Sequence, residues 1–378
     1  MADGFPQSYR RLAAVALPIA AAIWLSYGGV KHALAGHFAN SSNAGNWVRA
    51  ARIEPGNAEN WYRLGRYFQL DFVHSDLSQA VSDYRRAVQL NPWSPYYKLD
   101  LASALEMSGE FEEADKYYRA AQYDYPISSE VSWKYGNFLL RRQRMSEAYA
   151  EIHRAVEVTP SLIPAAISRV WHSDPDVHFL LDQVLPDTAA ADWDAIDYLS
   201  GVQDPAAALA VWNHLAAKRP SIEWRQTFGL LDMLVAQGRY DDAGSVWRQA
   251  VSLSGGAPPT PASGSLIYNG GFEKDLAGGG FGWQQSDVPG ATFDFDTDVK
   301  RSGARSARIT FDGTQNLKYI NLFQQVLVTP GTHYRFRGFL RTDQITTDSG
   351  VRFEIYDPQD PKNLDIVTPN ERDTQSWT

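Results

Sequence analysis

The sequence contains no cysteine. Disulfide staples, thiolate metal sites and a cysteine nucleophile are therefore excluded, while the redox compartment stays open. A basic excess is also missing. Lys and Arg number 35 against 44 Asp and Glu, a formal charge of −9, so no global field draws the chain to nucleic acid. Recognisable catalytic signatures are absent too. The eight histidines form no HExxH pair, and there is no GxSxG elbow, phosphate loop or dinucleotide fingerprint. With 21% charged and 44% hydrophobic residues, the chain is neither a disordered tail nor a multi-pass membrane protein. Its 378 residues suggest two or three domains at roughly 150 residues each.

Long apolar runs are scarce, with one exception. Residues 12–30, LAAVALPIAAAIWLSYGGV, carry no charge over 19 positions. As a helix this run rises about 28 Å at ~1.5 Å per residue, close to a bilayer core of ~30 Å. Arg10 and Arg11 precede it, and Trp24 and Tyr27 suit the far interface. One reading is a retained anchor within residues 1–36, with the lipid bilayer as partner and the bulk of the chain periplasmic or at the cell surface. A second is a signal peptide cut near Ala35, after Ala33-Leu34-Ala35, releasing a secreted chain. A buried helix of a soluble protein is the third.

The middle of the chain is periodic. Pro55, Pro92, Pro126, Pro160, Pro186 and Pro220 recur, and Gly255 takes the same place, at intervals of 37, 34, 34, 26, 34 and 35 residues. Before each mark stands a stripe at steps of four and three, as in Ala80, Tyr84, Ala87 and then Pro92. Ala114, Tyr118 and Ala121 repeat it, as do Ala148, Ile152 and Ala155. Those steps trace one helix face, and the proline stops the helix. A preceding helix carries Trp61, Leu64, Gly65 and Phe68 on one face, with Gly65, Ala102 and Gly136 small enough for close approach. Gly109 and Gly238 supply turns between paired helices.

In this period, in the W-x-x-L-G-x-x-F of Trp61 to Phe68, and in its alanines and closing prolines, the chain resembles the tetratricopeptide repeat family. The resemblance covers residues 42–254 and implies an all-α solenoid of tetratricopeptide-like helix pairs, irregular around 165–190. It further implies a groove for a protein partner lined by each pair's first helix, where the register sets Tyr62, Arg66, Ser103, Asn137 and Arg141. Trp133, Trp193, Trp212, Trp224 and Trp247 suit packing between repeats.

Residues 255–264, GGAPPTPASG, read as a Pro/Gly linker with nothing apolar to pack. Beyond it the period changes to two. Tyr334, Phe336 and Leu340 alternate with Arg335, Arg337, Phe339 and Arg341, and Val351, Phe353 and Ile355 with Arg352, Glu354 and Tyr356. Such alternation, with turns at Ser302-Gly303 and Pro330-Gly331, predicts an antiparallel β-sandwich. The opening Leu266 to Glu273, Trp283, and Gln325-Val326-x-Val328-x-Pro330-Gly331 resemble jelly-roll carbohydrate-binding modules of bacterial glycoside hydrolases. The resemblance runs over residues 265–378 and implies a jelly roll that looks incomplete, since such modules continue past a tryptophan like Trp377. It also implies a polysaccharide ligand stacked on aromatic faces, with Trp283, Tyr319, Gln325, Arg337, Phe339, Arg341 and Tyr356 as candidates.

Metal chemistry has one candidate. Asp294, Asp296 and Asp298 alternate in FDFDTD, so on a strand three carboxylates share a face that suits Ca²⁺. The resembled modules often hold a structural calcium near their first strand, where Glu273 stands. No other cofactor is expected. The expected whole is a non-enzymatic, membrane-anchored extracytoplasmic scaffold, with an envelope or surface-polysaccharide role suggested by resemblance alone. Its alternatives are a pure protein–protein adaptor whose sandwich is a spacer, and an accessory subunit of a glycan-processing enzyme.

Overall fold

Helices follow one another from the first described residue to Leu253. The computed structural model describes residues 7–41, 44–71, 73–258 and 264–378, and their side chains apart from those of 7–14 and 44. The helices are α1 (Gln7–Ala39), α2 (Ala44–Ile53), α3 (Ala58–Leu70), α4 (Leu77–Leu90), α5 (Pro95–Met107), α6 (Phe111–Asp124), α7 (Ser129–Arg141) and α8 (Met145–Val158). Then come α9 (Ile163–Ser173), α10 (Val177–Phe179), α11 (Ala189–Gly201), α12 (Pro205–Ala217), α13 (Phe228–Ala236) and α14 (Tyr240–Leu253). The chain divides into two compact units, residues 1–199 with 209–211, and residues 200–208 with 212–378.

In the first unit, local chemistry punctuates the pairs. Asn57, Asp76, Ser94 and Ser128 accept backbone N–H bonds at the starts of α3, α4, α5 and α7. Each cap satisfies a donor that the helix cannot pair internally. Between α5 and α6 the turn passes through Gly109 at φ +81°. One period later, between α7 and α8, the same left-handed position is filled by Gln143 at φ +58°. The turn geometry is thus imposed by the repeat even where no glycine is supplied.

The stripes meet as their spacing predicts. Ala80, Tyr84 and Ala87 of α4, Ala114 and Ala121 of α6, and Ala148, Ile152 and Ala155 of α8 are sealed from solvent. Each pair is held close at its small position. A Cβ on Gly65 would lie 2.7 Å from the Tyr84 ring, and one on Gly136 2.8 Å from Ile152 Cγ1. The register breaks where the period shortens. After α10 the helix widens into a π-turn over Leu180–Val184. There Asp176 caps the N–H groups of His178 and Phe179, and Asp174 accepts from the Tyr149 hydroxyl at 3.0 Å.

At the N-terminus the structure corrects the sequence reading. Among the described residues no helix is long and apolar enough to cross a membrane. A single-span anchor over residues 12–30, the bilayer as its partner and the location drawn from it are therefore not upheld. Lys31 and His32 follow the run at once, and the described side chains begin only at Val15. The side chains of Arg10, Arg11 and residues 12–14 lie outside what the structure describes. The end of α1 instead packs with α2. Ala35 is buried there, while Ala33 and Leu34 of the same motif are exposed. Arg63 Nη1 donates to the Ala39 carbonyl at 2.8 Å, and His32 Nδ1 stands 2.9 Å from Glu54.

The second unit joins α13 and α14 to the β-rich segment. Of the stretch read as a linker, 259–263 lie outside the described residues. The division between units falls near residues 199–212 rather than at 255–264. Residues 266–286 lie directly on the last two helices. Trp247 meets Trp224 at 5.1 Å, Tyr268 at 5.6 Å and Phe281 at 6.1 Å, all edge to face. Gly280, at φ +56°, lets the backbone approach so closely that a Cβ would lie 2.9 Å from Trp247. Arg225 donates to the carbonyls of Ala277 and Leu276 at 3.3 Å.

The strands are β1 (Gln284–Gln285), β2 (Ala291–Asp296), β3 (Ser306–Phe311), β4 (Leu322–Phe323), β5 (Thr342–Ile345), β6 (Glu354–Tyr356), β7 (Asp365–Val367) and β8 (Asp373–Gln375). Among the described residues they form four two-stranded antiparallel sheets, β1–β4, β2–β3, β5–β8 and β6–β7. The pairings nest. Ser286 N to Asn321 O and Asp312 N to Gly290 O continue β1–β4 toward β2–β3, making one long irregular hairpin. The Val351–Glu371 bridge joins β5–β8 to β6–β7 in the same way. The jelly-roll sandwich expected from alternation is not what these residues form. Within the alternating segment 334–341 Leu340 exchanges backbone bonds with Thr378 at 3.3 and 2.9 Å, but among the described residues the segment forms no strand, and Tyr334, Phe336 and Phe339 stay exposed. Alternation specifies two faces of a strand, but a ladder needs a neighbour to satisfy its backbone.

Two substitutions test this account. Gly136→Val drives a branched side chain into Ile152 and is expected to cost about 1–3 kcal/mol. Gln143→Gly relieves a left-handed residue and is expected to add about 0.5–1 kcal/mol. Urea melts followed by far-ultraviolet circular dichroism measure both. Equal midpoints for Gly136→Val and the native chain would refute the close-approach account.

Candidate functional site

The first helices of successive pairs present one continuous row of polar side chains. Tyr62 and Arg66 stand on α3, Ser103 on α5, and Asn137 and Arg141 on α7. The structure also shows what each of them touches, which the sequence reading did not supply. Their partners lie one repeat away. The Tyr62 hydroxyl donates to Asp100 Oδ2 at 2.8 Å, and Lys134 Nζ reaches Asp100 Oδ1 at 3.2 Å. Three consecutive first helices are thereby linked. Gln69 Nε2 donates to Ser103 Oγ at 3.3 Å while its carbonyl accepts from the Tyr84 hydroxyl at 2.7 Å. Arg141 clamps Glu106 with Nε at 2.6 Å and Nη2 at 3.0 Å, and the Tyr118 hydroxyl reaches the same carboxylate at 3.1 Å. Arg169 of α9 donates to Asn137 Oδ1 at 2.7 Å and lies 5.2 Å from the Trp133 ring.

Electrostatics follow from these rungs. Burial and then the Asp100 carboxylate push the Tyr62 phenol well above its ordinary value. Burial and the bond to Glu59 push Tyr97 up to about 12. Its bond to Glu106 raises Arg141 above the usual guanidinium range. Burial works against the charge of Lys134, but Asp100 and Glu130 outweigh it and hold the ammonium form. The acids of the row are thus neutralised laterally. Arg66 contrasts with them, being exposed with its guanidinium 5.8 Å from the Tyr62 ring. Tyr62 in turn stacks on Tyr97 at 4.6 Å.

The sequence-level signal for the missed partners was present. Complementary groups recur one period apart: Asp100 and Lys134 at 34 residues, Glu106 and Arg141 at 35, Asn137 and Arg169 at 32. Opposite charges at the repeat spacing mark the first two of these pairs.

The other candidates are dispersed. Trp283 packs on Phe272 at 4.9 Å, and Tyr319 lies edge-on to Phe311 at 5.7 Å. Phe339 carries the Arg301 guanidinium 3.5 Å over its ring. Gln325, Arg337, Arg341 and Tyr356 are exposed. Among the described residues no ring contact joins Trp283, Tyr319, Phe339 and Tyr356 to one another. The carboxylates drawn toward calcium are spent elsewhere. Glu273 accepts from the Ala304 N–H at 2.9 Å, while Asp294 and Asp296 share Arg308 at 2.9 and 3.1 Å. The N–H groups of Val299 and Asp298 hold Asp296 below its ordinary value. Among the described residues no group of three His, Cys, Asp or Glu side chains could hold a metal ion.

One buried carboxyl was not anticipated. Asp83 of α4 is sealed from solvent, with Gln79 Nε2 on one oxygen at 3.0 Å and no partner for the other. Burial, only partly offset by Gln79, raises its pKa to about 6.

No protein-family model matches the chain, and no curated protein matches it. Three solved structures illustrate its likeness to known folds. YrrB, described as a TPR protein with an unusual peptide-binding site, is 12% identical, with 56% of this chain and 94% of that one covered and a TM-score of 0.30. MamA is 13% identical over 52% of this chain and 90% of that one, at 0.30. PilF of Pseudomonas aeruginosa is 20% identical over 53% and 93%, at 0.28. At such values the likeness carries nothing about ligand or partner. The reading of the fold as a helical-repeat solenoid rests on the chain's own paired helices.

Asp83 yields a pH prediction. A carboxyl raised in the folded state binds its proton more tightly there than in the unfolded chain, so stability falls as pH rises from about 4 to about 6. Asp83→Asn is expected to stabilise the repeats by on the order of 2 kcal/mol at pH 7 and by almost nothing at pH 4. Melting temperatures at the two pH values decide it, and an equal gain at both would rule the cause out.

Proposed function

We propose that this chain is a non-catalytic scaffold whose row of first helices, α3, α5, α7 and α9, holds an extended segment of a protein partner. The reading is supported above all by the lateral rungs. They spend Asp100 and Glu106 within the protein and hold Tyr62, Ser103 and Asn137 in fixed positions before any ligand arrives. Preorganisation of this kind lowers the ordering cost of binding. Exposed Arg66 then offers charge to a chain lying across the helices. Solenoids present such surfaces because each repeat adds one strip of a continuous wall.

The test is site-specific photo-cross-linking in the native host. Benzoylphenylalanine placed at Arg66 or Ser103 is expected to yield covalent adducts with the same protein, and at exposed Arg86 on α4 none. Adding Arg141→Glu should cut the yield from position 66 at least about tenfold, the loss of one well-formed charged contact. Adducts arising only from position 86, or yields indifferent to Arg141→Glu, would be evidence against the groove.

A further inference from the structure

The last helix pair meets something other than a helix at the positions where an earlier pair meets the next repeat. In α6 the stripe residue Tyr118 stacks on Tyr135 at 5.6 Å and lies 5.0 Å from Phe138, both on α7. Asp115, three positions before Tyr118, accepts from the Tyr135 hydroxyl at 2.9 Å. The same register in α14 puts Trp247 at the place of Tyr118 and Gly244 at the place of Asp115. Trp247 takes up Tyr268 and Phe281 instead, at 5.6 and 6.1 Å. Gly244 meets Leu327, so closely that a Cβ would lie 2.7 Å from its Cδ1. Sequence spacing agrees. α7 begins at Ser129, 11 residues after Tyr118, so a further first helix would begin at Pro258. The sequence there carries Pro258, Pro259 and Pro261, which a helix interior does not tolerate.

We propose that residues 266–283, with Leu327, are the closing cap of the helical array, a non-helical stand-in for the first helix of a further pair. The cap is held as one piece. Gln324 Nε2 donates to the carbonyls of Tyr268 and Phe281 at 3.0 and 3.1 Å, tying together the two residues that flank Trp247. Its backbone lies where a helix would place side chains. A Cβ on Gly279 would stand 2.4 Å from the Phe228 ring, and one on Gly280 3.1 Å from Leu231. Its outer side is polar, with Glu273, Lys274 and Asp275 exposed. These are the two properties a terminal cap needs. A repeat is stable only through its neighbours, and the end of the array must present a polar face to stay soluble. Uncovered, the Trp247 face is an apolar surface that takes up a helix of a second copy.

The test uses the full chain. Tyr268→Ser with Phe281→Ser unseats the cap, Leu327→Ala loosens it, and Phe353→Ser disturbs the contact with Phe336 elsewhere in the β-rich segment. Amide hydrogen exchange across α13 and α14 is expected to quicken at least about tenfold in the double variant and by less in Leu327→Ala. Exchange across α5 and α6 should match the native chain in all three. Sedimentation velocity should show association that reverses on dilution in the double variant and in Leu327→Ala, beyond any shown by the native chain, and none added by Phe353→Ser. Should the double variant lose its helical circular dichroism, Leu327→Ala decides alone. Three outcomes overturn the proposal: unchanged exchange in α13 and α14, the same quickening from Phe353→Ser, or uncapped chains that sediment as the native chain does.

Discussion

No helix pair in this chain can shelter its own apolar side, and the fold follows from that constraint. Each pair buries one stripe internally and must lay the rest against the next pair. The small residues at Gly65, Ala102 and Gly136 set how near the partner helix comes, and the rings of Tyr84 and Tyr118 fill the space so defined. Because the same contact recurs at nearly the same interval, its geometry is copied along the chain. Even the inter-helix turn is copied, to the point of holding Gln143 in a conformation that suits glycine.

Copying has a chemical consequence. Side chains one period apart end up side by side on neighbouring first helices. Asp100 therefore meets Tyr62 and Lys134, and Glu106 meets Arg141. The second helices are laced similarly, with Arg85 on Glu113 at 2.7 Å and Gln122 on Glu151 at 2.7 Å. Individually such exposed pairs add little stability. Collectively they fix the rotamers of the row, which is ordered by neighbours within the protein. Where the period shortens around 174–188, the lacing gives way to loop caps and a π-turn.

The β-rich segment obeys a different logic. Its first part is held by aromatic packing on α13 and α14, where glycines permit backbone to lie flat on Trp247 and Phe228. Its strands then satisfy their backbones in nested pairs, leaving outer edges unpaired among the described residues. Arg308 and Arg305 occupy carboxylates and carbonyls that an alternating pattern leaves free on paper.

Helix spacing, small positions, caps and stops are local properties, and local properties can be read directly from residues. That is why the paired helices between Asn57 and Pro160, and the helices carrying Tyr62, Ser103 and Asn137, were legible before any coordinates. Partners were not, because a side chain's charge names no neighbour. Lys134 chose Asp100, and Arg169 chose Asn137, only once curvature set the distances. The same holds for residues 12–30 and 265–378, where apolar run length and alternation were read as an anchor and a sandwich. What packs against an apolar helix, and the supply of a neighbouring strand, are properties of assembled elements. Sequence determined which faces exist; tertiary packing decided what each face meets.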